Sequence, residues 1–191
     1  MAKEGQALAI CAKSHQKMLD YLATTRHPAR DTAIYLLTYR AGMRIGSVAG
    51  LLLSDLVDIQ GEIKQVVVLR RQITKGGKTI TAYINHPELQ AALKAWFAER
   101  ACKPYPSVFY SQKGSAFSAN SLSQVMLKHY TNAGLQGYSS HSGRRGAISS
   151  WCKAGIDIVA VSKLAGHTSV NTTMRYIHHD QDELMTAVAS I

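Results

Sequence analysis

Residues 141–176 read HSGRRGAISSWCKAGIDIVAVSKLAGHTSVNTTMRY. His141 and Arg144 stand three apart, the spacing that places two side chains on one face of a helix. Gly166-His167 closes an apolar run, and Tyr176 follows that histidine by nine residues. The pattern predicts a helix from about Ser142 to Lys153, a stop at Gly155 and a second helix over IDIVAVSKLAG. A turn at His167-Thr168 then leads into a last turn or two over SVNTTMRYI. Two histidines, two arginines and a tyrosine are donors, proton carriers and one nucleophile, with no carboxylate in the set. Such a set suits a phosphate oxyanion better than a metal ion or a carbonyl.

Working outward, the whole chain supports an anionic partner. It has 191 residues, 46% of them hydrophobic, which fits one domain with a sizeable core. Its formal net charge is +10, before any contribution from eight histidines. A polyanion is the natural partner of such a surface, and nucleic acid fits better than a membrane. No apolar run is long enough to span a bilayer, and the N-terminus lacks the order of a signal peptide. Cys11, Cys102 and Cys152 show no metal-ligand spacing and read as reduced, mostly buried thiols of a cytoplasmic protein.

Upstream, residues 6–24 predict a helix bearing Leu8, Ile10, Met18, Leu19 and Leu22, broken at TRHPAR (25–30). DTAIYLLTYRAG (31–42) predicts a second helix, with Asp31 as N-cap and Gly42 as C-cap. Arg44 opens a short helical run, RIGSVAGLLLSDL, beside apolar Met43 and Ile45. Arginine avoids such neighbours unless it is paired, snorkelling or functional. IKQVVVLRRQI and KTITAYI are β-branched runs that predict a hairpin, with Lys75 at its tip in TKGGK (74–78). PELQAALKAWFAER (87–100) and NSLSQVMLKHYTNAG (120–134) predict helices, the second capped by Ser118 or Asn120. In the tail, Leu184, Val188 and Ile191 form one apolar stripe beyond Asp180. The expected fold is mainly α with a small antiparallel β-sheet, organised as one domain over 1–191.

These residues allow a tyrosine oxygen to attack a phosphodiester. Arginines match the spread negative charge of the transition state, histidines supply hydrogen bonds and protons, and a lysine can protonate the leaving oxygen. The ordered set AGMRIG (41–46), TKGGK (74–78), HSGRR (141–145) and LAGHTSVNTTMRY (164–176) resembles the tyrosine recombinases, the phage integrase family. The resemblance covers about residues 25–180 and implies their catalytic-domain fold. It implies that Arg44 and Arg144 hold the scissile phosphate, His141 and His167 act as hydrogen-bonding and acid–base partners, Lys75 is the general acid and Tyr176 the nucleophile. It further implies metal-independent cleavage and rejoining of double-stranded DNA without a cofactor. Self-association into dimers or tetramers on that DNA is also implied, with helix 180–191 docking in cis or on a neighbour. Arg70, Arg71, Lys78, Lys113, Lys128 and Arg145, with Lys64, are candidate DNA contacts or else a solvated basic face.

Three departures from the family pattern stand out. Ser47 replaces an acidic residue, Ser142-Gly143 replaces a bulkier pair, and Arg145 adjoins Arg144 so that spacing alone selects between them. Residues 1–24 read as one helix, so no separate N-terminal core-binding domain is expected. The nearest alternative is a helix-turn-helix DNA-binding regulator over 156–177, which leaves Arg44, Lys75 and His141 without a role. A type IB topoisomerase shares the chemistry, but the second histidine and the length suit a recombinase better. His178-His179-Asp180 suggests a metal-dependent nuclease, yet adjacent histidines on a helix point apart and no carboxylate cluster accompanies them.

Overall fold

The run DTAIYLLTYR is apolar on nearly every side, and a helix of that kind belongs inside a core. A computed structural model, which describes residues 7–100, 105–112, 114–177, 185, 188 and 189, places it there. In chain order the elements are α1 (Ala12–Leu22), α2 (Pro28–Tyr39), α3 (Ile45–Ala49), α4 (Leu53–Leu56), β1 (Val66–Leu69), β2 (Ile80–Tyr83), α5 (Pro87–Arg100), α6 (Ala119–Asn132), α7 (Ser142–Lys153), α8 (Ile158–Ala165) and α9 (Val170–Met174). This is the expected mainly helical fold with a small antiparallel sheet.

Helix α2 buries every residue from Ala33 to Tyr39 and is packed by α5 on one side and α7 on another. It begins at Pro28, whose missing N–H costs nothing in a first turn. Asp31 is therefore not the N-cap that the sequence suggested. It lies inside the helix, buried, 2.8 Å from the Arg30 guanidinium and 3.3 Å from His129 of α6. In and around α2, the side chains of Leu22, Ile34, Leu37, Leu51, Leu56, Ile84, Leu89, Leu93 and Phe109 are fully buried. Each contributes about 1.5–3 kcal/mol. A polar knot closes the α1–α2–α5 junction: His15 Nδ1 lies 2.9 Å from the Tyr35 hydroxyl, and Arg40 donates to Glu88 at 2.6 Å.

The hairpin pairs Val66 with Tyr83 and Leu69 with Ile80. Val67 and Leu69 face the core while Val66 and Val68 face out, so a one-residue slip would exchange the two sets. Its connection is longer than a tight turn: residues 70–79 include a 3₁₀ turn at Arg71–Ile73. The tip is closed by Thr74 Oγ1 donating to the Lys78 carbonyl at 2.6 Å and Arg71 donating to that of Gly77 at 2.7 Å.

α7 spans the expected bounds, and a second apolar cluster of Ile148, Val161 and Ala165 joins it to α8, with Trp151, Cys152 and Tyr176 against it. The thiols depart from expectation. Cys11 is exposed because it precedes α1 at the surface, Cys152 is half-buried, and Cys102 lies outside the described residues. No described helix is long and apolar enough to cross a membrane.

Candidate active site

Arg144 holds the site together. Its guanidinium, buried in α7, donates to the carbonyls of Gly42 and Ala165. Gly42 belongs to the loop that carries Arg44, and Ala165 ends the helix that precedes His167. One side chain thus ties together the three segments that bear the basic groups. Removing it would orphan two buried carbonyls, at about 1–3 kcal/mol each. The remaining N–H groups of its planar fork are uncommitted among the described residues.

Arg44 is the N-cap residue of α3, held in extended backbone at φ −71°, ψ 142°. It lines, with Arg144, Gly42, Met43, Ile80, Thr81 and Leu164, a cleft of about 10 Å³ between α3, the hairpin and α7. Among the described residues no carboxylate pairs with either arginine. Burial, then the charge of Arg44, lowers the Arg144 pKa to about 10, so both remain cations near neutrality and repel each other. An anion placed between them would relieve that repulsion.

His167 is delivered by the end of α8. Gly166 takes left-handed backbone (φ 58°), and a Cβ there would meet the Ile80 side chain at 2.8 Å, so glycine lets the turn close against the hairpin. The His167 N–H then donates to the Ser162 carbonyl at 2.9 Å. Its Nδ1 lies 2.8 Å from Oγ1 of Thr173, a fully buried residue. Burial, then Arg144 and Arg44, push the His167 pKa down to about 4. His141, the residue before α7, keeps an exposed edge. Partial desolvation, then Arg144, Arg44 and Lys75, lower its pKa as well. The fields of the two arginines therefore reach both imidazoles, and that of the exposed Lys75 on the hairpin tip reaches His141.

Tyr176 follows α9 and packs on the Ile148–Val161–Ala165 cluster. Its ring stacks on that of His167, with centroids 6.0 Å apart and planes at 24°. The Arg145 guanidinium carbon lies 5.3 Å from the Tyr176 ring centroid. Both Arg44 and Arg144 lie within electrostatic reach of the tyrosine. All six residues singled out in the sequence, Arg44, Lys75, His141, Arg144, His167 and Tyr176, thus gather in one region.

A cleft lined by two guanidiniums and, among the described residues, no carboxylate is a site for an anion. The sequence profile described as the phage integrase family matches residues 10–183. The chain belongs to the phage integrase family. Relatives in this family include a tyrosine recombinase XerC of Caldanaerobacter subterraneus subsp. tengcongensis, 32% identical over 165 residues, covering 83% of this chain and 44% of the relative. A tyrosine recombinase XerC of Actinobacillus pleuropneumoniae serotype 7 is 33% identical over 158 residues, covering 81% and 49%. Among integrase-family folds, the XerA recombinase superposes with a TM-score of 0.77 at 21% identity, over 96% of this chain and 64% of that one. The XerH site-specific recombinase bound to palindromic difH substrate gives a TM-score of 0.76 at 23% identity, over 97% and 54%. The chain spans about half the length of the curated relatives it matches.

The family departures acquire physical reasons. Ser47 does not reach Arg44; its hydroxyl donates to the Ile73 carbonyl at 2.7 Å and fastens α3 to the base of the Lys75 loop. Gly143 is small because α7 lies directly on α2: a Cβ there would collide with the Thr38 hydroxyl. Of the two adjacent arginines, Arg144 lines the cleft and Arg145 lies over the Tyr176 ring.

The candidate DNA contacts divide. Arg70 grips Asp55 through Nε at 2.8 Å and the Gly50 carbonyl through Nη2 at 2.6 Å, so it is committed to holding β1 against α4. Lys64 Nζ donates to the Ser54 carbonyl at 2.7 Å and closes α4. Arg71, Lys78 and Lys128 are exposed, and Lys113 lies outside the described residues. So do His178, His179 and Asp180. Sequence reasoning missed Thr173, and missed the carbonyls of Gly42 and Ala165 as the anchors of Arg144. A threonine six residues after a histidine was the available sign for the first; the carbonyls left none.

Proposed function

We propose that this chain is the catalytic domain of a site-specific DNA recombinase, cleaving and rejoining duplex DNA through a 3′-phosphotyrosine on Tyr176. The observation that carries the reading is the pair Arg44 and Arg144 lining one cleft without a carboxylate among the described residues, with the stacked rings of Tyr176 and His167 within electrostatic reach of both arginines. The two guanidiniums would hold the non-bridging oxygens and stabilise the pentacovalent transition state. The Tyr176 oxygen attacks phosphorus and the bond to the 5′ oxygen breaks. Lys75, on its exposed loop, gives that oxygen a proton, while the tyrosine proton leaves to a histidine or water. The phosphotyrosine conserves the ester, so a second 5′ hydroxyl can reverse the step.

A helix-turn-helix regulator fits less well. α9 has five residues, a rise of about 7.5 Å, which is short for a recognition helix. On duplexes nicked beside the target phosphate, the protein should form a covalent adduct, and Tyr176→Phe should form none while still binding. Lys75→Ala should slow the step, and sulfur in place of the bridging 5′ oxygen should restore it. Intact binding with no adduct from the unaltered protein on any site would sink the proposal.

Arg71, Lys78 and Lys128 are the proposed backbone contacts. We also propose assembly of several copies on DNA. Of the tail stripe, Val188 is described and is 75% exposed, an apolar side chain left uncovered in a single copy; Leu184 and Ile191 lie outside the described residues. The mass of the protein–DNA complex in solution checks this, and a complex holding one copy at every concentration contradicts it.

A further inference from the structure

We propose that Arg145 is a positioning residue for Tyr176, not a contact to the DNA backbone. The inference rests on reading Tyr176 as the nucleophile. Arg144 and Arg145 are successive residues of α7, about 100° apart around the helix axis, and so serve two different directions. Arg144 turns into the arginine cleft, where it donates to Gly42 and Ala165. Arg145 is half-buried, with its guanidinium carbon 5.3 Å from the centroid of the Tyr176 ring. That distance lies within the range in which a cation is attracted by an aromatic face.

The geometry around the tyrosine makes this contact more than incidental. α9, which delivers Tyr176, is a five-residue helix and has little rigidity of its own. The ring is therefore fixed by its surroundings. The apolar cluster of Ile148, Val161 and Ala165 supports it, His167 stacks on it at 6.0 Å, and Arg145 approaches it from α7. α7 is the longest of these supports and the one that also carries Arg144, so the Arg145 contact couples the nucleophile to the phosphate-holding helix. An in-line attack needs the phenol oxygen placed to within a fraction of an ångström, and a misplacement of about 1 Å can cost 100-fold in rate. A residue that keeps this ring in register with Arg144 acts on rate without touching DNA.

The test compares Arg145→Lys and Arg145→Gln with the unaltered protein, after checking that their melting temperatures agree. In the DNA-free protein, nitration of Tyr176 by tetranitromethane is followed by peptide mass spectrometry. The half-exposed Tyr83 serves as internal reference. Arg145→Gln should raise the Tyr176-to-Tyr83 ratio by roughly threefold to tenfold, and Arg145→Lys, which keeps a cation, should raise it less. On nicked duplex, Arg145→Gln should slow adduct formation by between about 10- and 100-fold at saturating DNA, with DNA affinity and its salt dependence unchanged. Arg145→Lys should recover part of the rate.

An unchanged nitration ratio in both variants would overturn the proposal. Loss of DNA affinity in step with cleavage, with a shallower salt slope, would overturn it too and make Arg145 a phosphate contact. If the unaltered protein forms no adduct on any duplex, the recombinase reading falls, while the nitration ratio still decides whether Arg145 holds the tyrosine.

Discussion

His167 shows how neighbours set the chemistry of a single residue. Burial and two guanidiniums hold its pKa down to about 4, against an ordinary 6.5, so the free protein carries it neutral near pH 7. Donation from the Thr173 hydroxyl to Nδ1 would leave the ring proton on Nε2, where it serves as a hydrogen-bond donor. A phosphate bound between the arginines offsets their field and raises the His167 pKa. Burial, the larger cause, persists, so binding should take up protons just above pH 4, and affinity should rise as pH falls through that region. Calorimetry in buffers of different ionisation enthalpy should detect the uptake, and His167→Gln should reduce it, the remainder coming from His141, which the same arginines depress. Stability runs the other way. The unfolded chain takes protons near pH 6.5 and the folded one only near 4, so stability falls as pH drops between those values. His15, His27, His86 and His141 shift in the same direction and deepen that fall.

Among elements, α7 carries the tightest constraint. It rests on α2 at Gly143, where a methyl group would collide with Thr38. Gly143→Ala should destabilise the protein by about 1–3 kcal/mol, as overpacking of a filled interface does. Urea unfolding measures this, and Thr38→Ser, which removes a methyl while keeping the hydroxyl bond to Tyr35, should recover little because the hydroxyl itself is the obstacle. Thr38→Ala in the Gly143→Ala background should recover more. The same shift of α7 would move Arg144, so cleavage should fall further than stability alone explains. Helix bounds for α7 and the cap Ser118 were legible locally, because a cap is a contact between near neighbours in sequence. The start of α2 was not. Asp31 looks like a cap until Arg30 and His129 are seen to pair with it inside the fold.

For the whole molecule, the excess of ten positive charges would, on the proposed function, set how DNA is met. Arg70 and Lys64 are spent on Asp55 and the backbone of α4, so the surface available to a duplex is smaller than the count of basic residues suggests. Each phosphate neutralised should steepen the plot of log K against log salt by about 0.9. Lys78→Ala and Lys128→Ala should each reduce that slope by about one contact, whereas Arg70→Ala should lower stability and leave the slope alone. A slope insensitive to Lys78 and Lys128 would remove them from the interface.

The order and spacing of Arg44, Lys75, His141, Arg144, His167 and Tyr176 were readable in the chain, as were the mainly helical class and the hairpin. Each of these follows from residue type and local periodicity, which a linear string carries. The division of labour among like residues was not readable. Arg144 and Arg145 are adjacent and chemically alike, as are Arg70 and Arg71, yet one member of the first pair joins three segments of the cleft and one member of the second holds an aspartate. Those assignments depend on carbonyls, a carboxylate and a ring brought from distant parts of the chain, and only their arrangement in space distinguishes one guanidinium from the next.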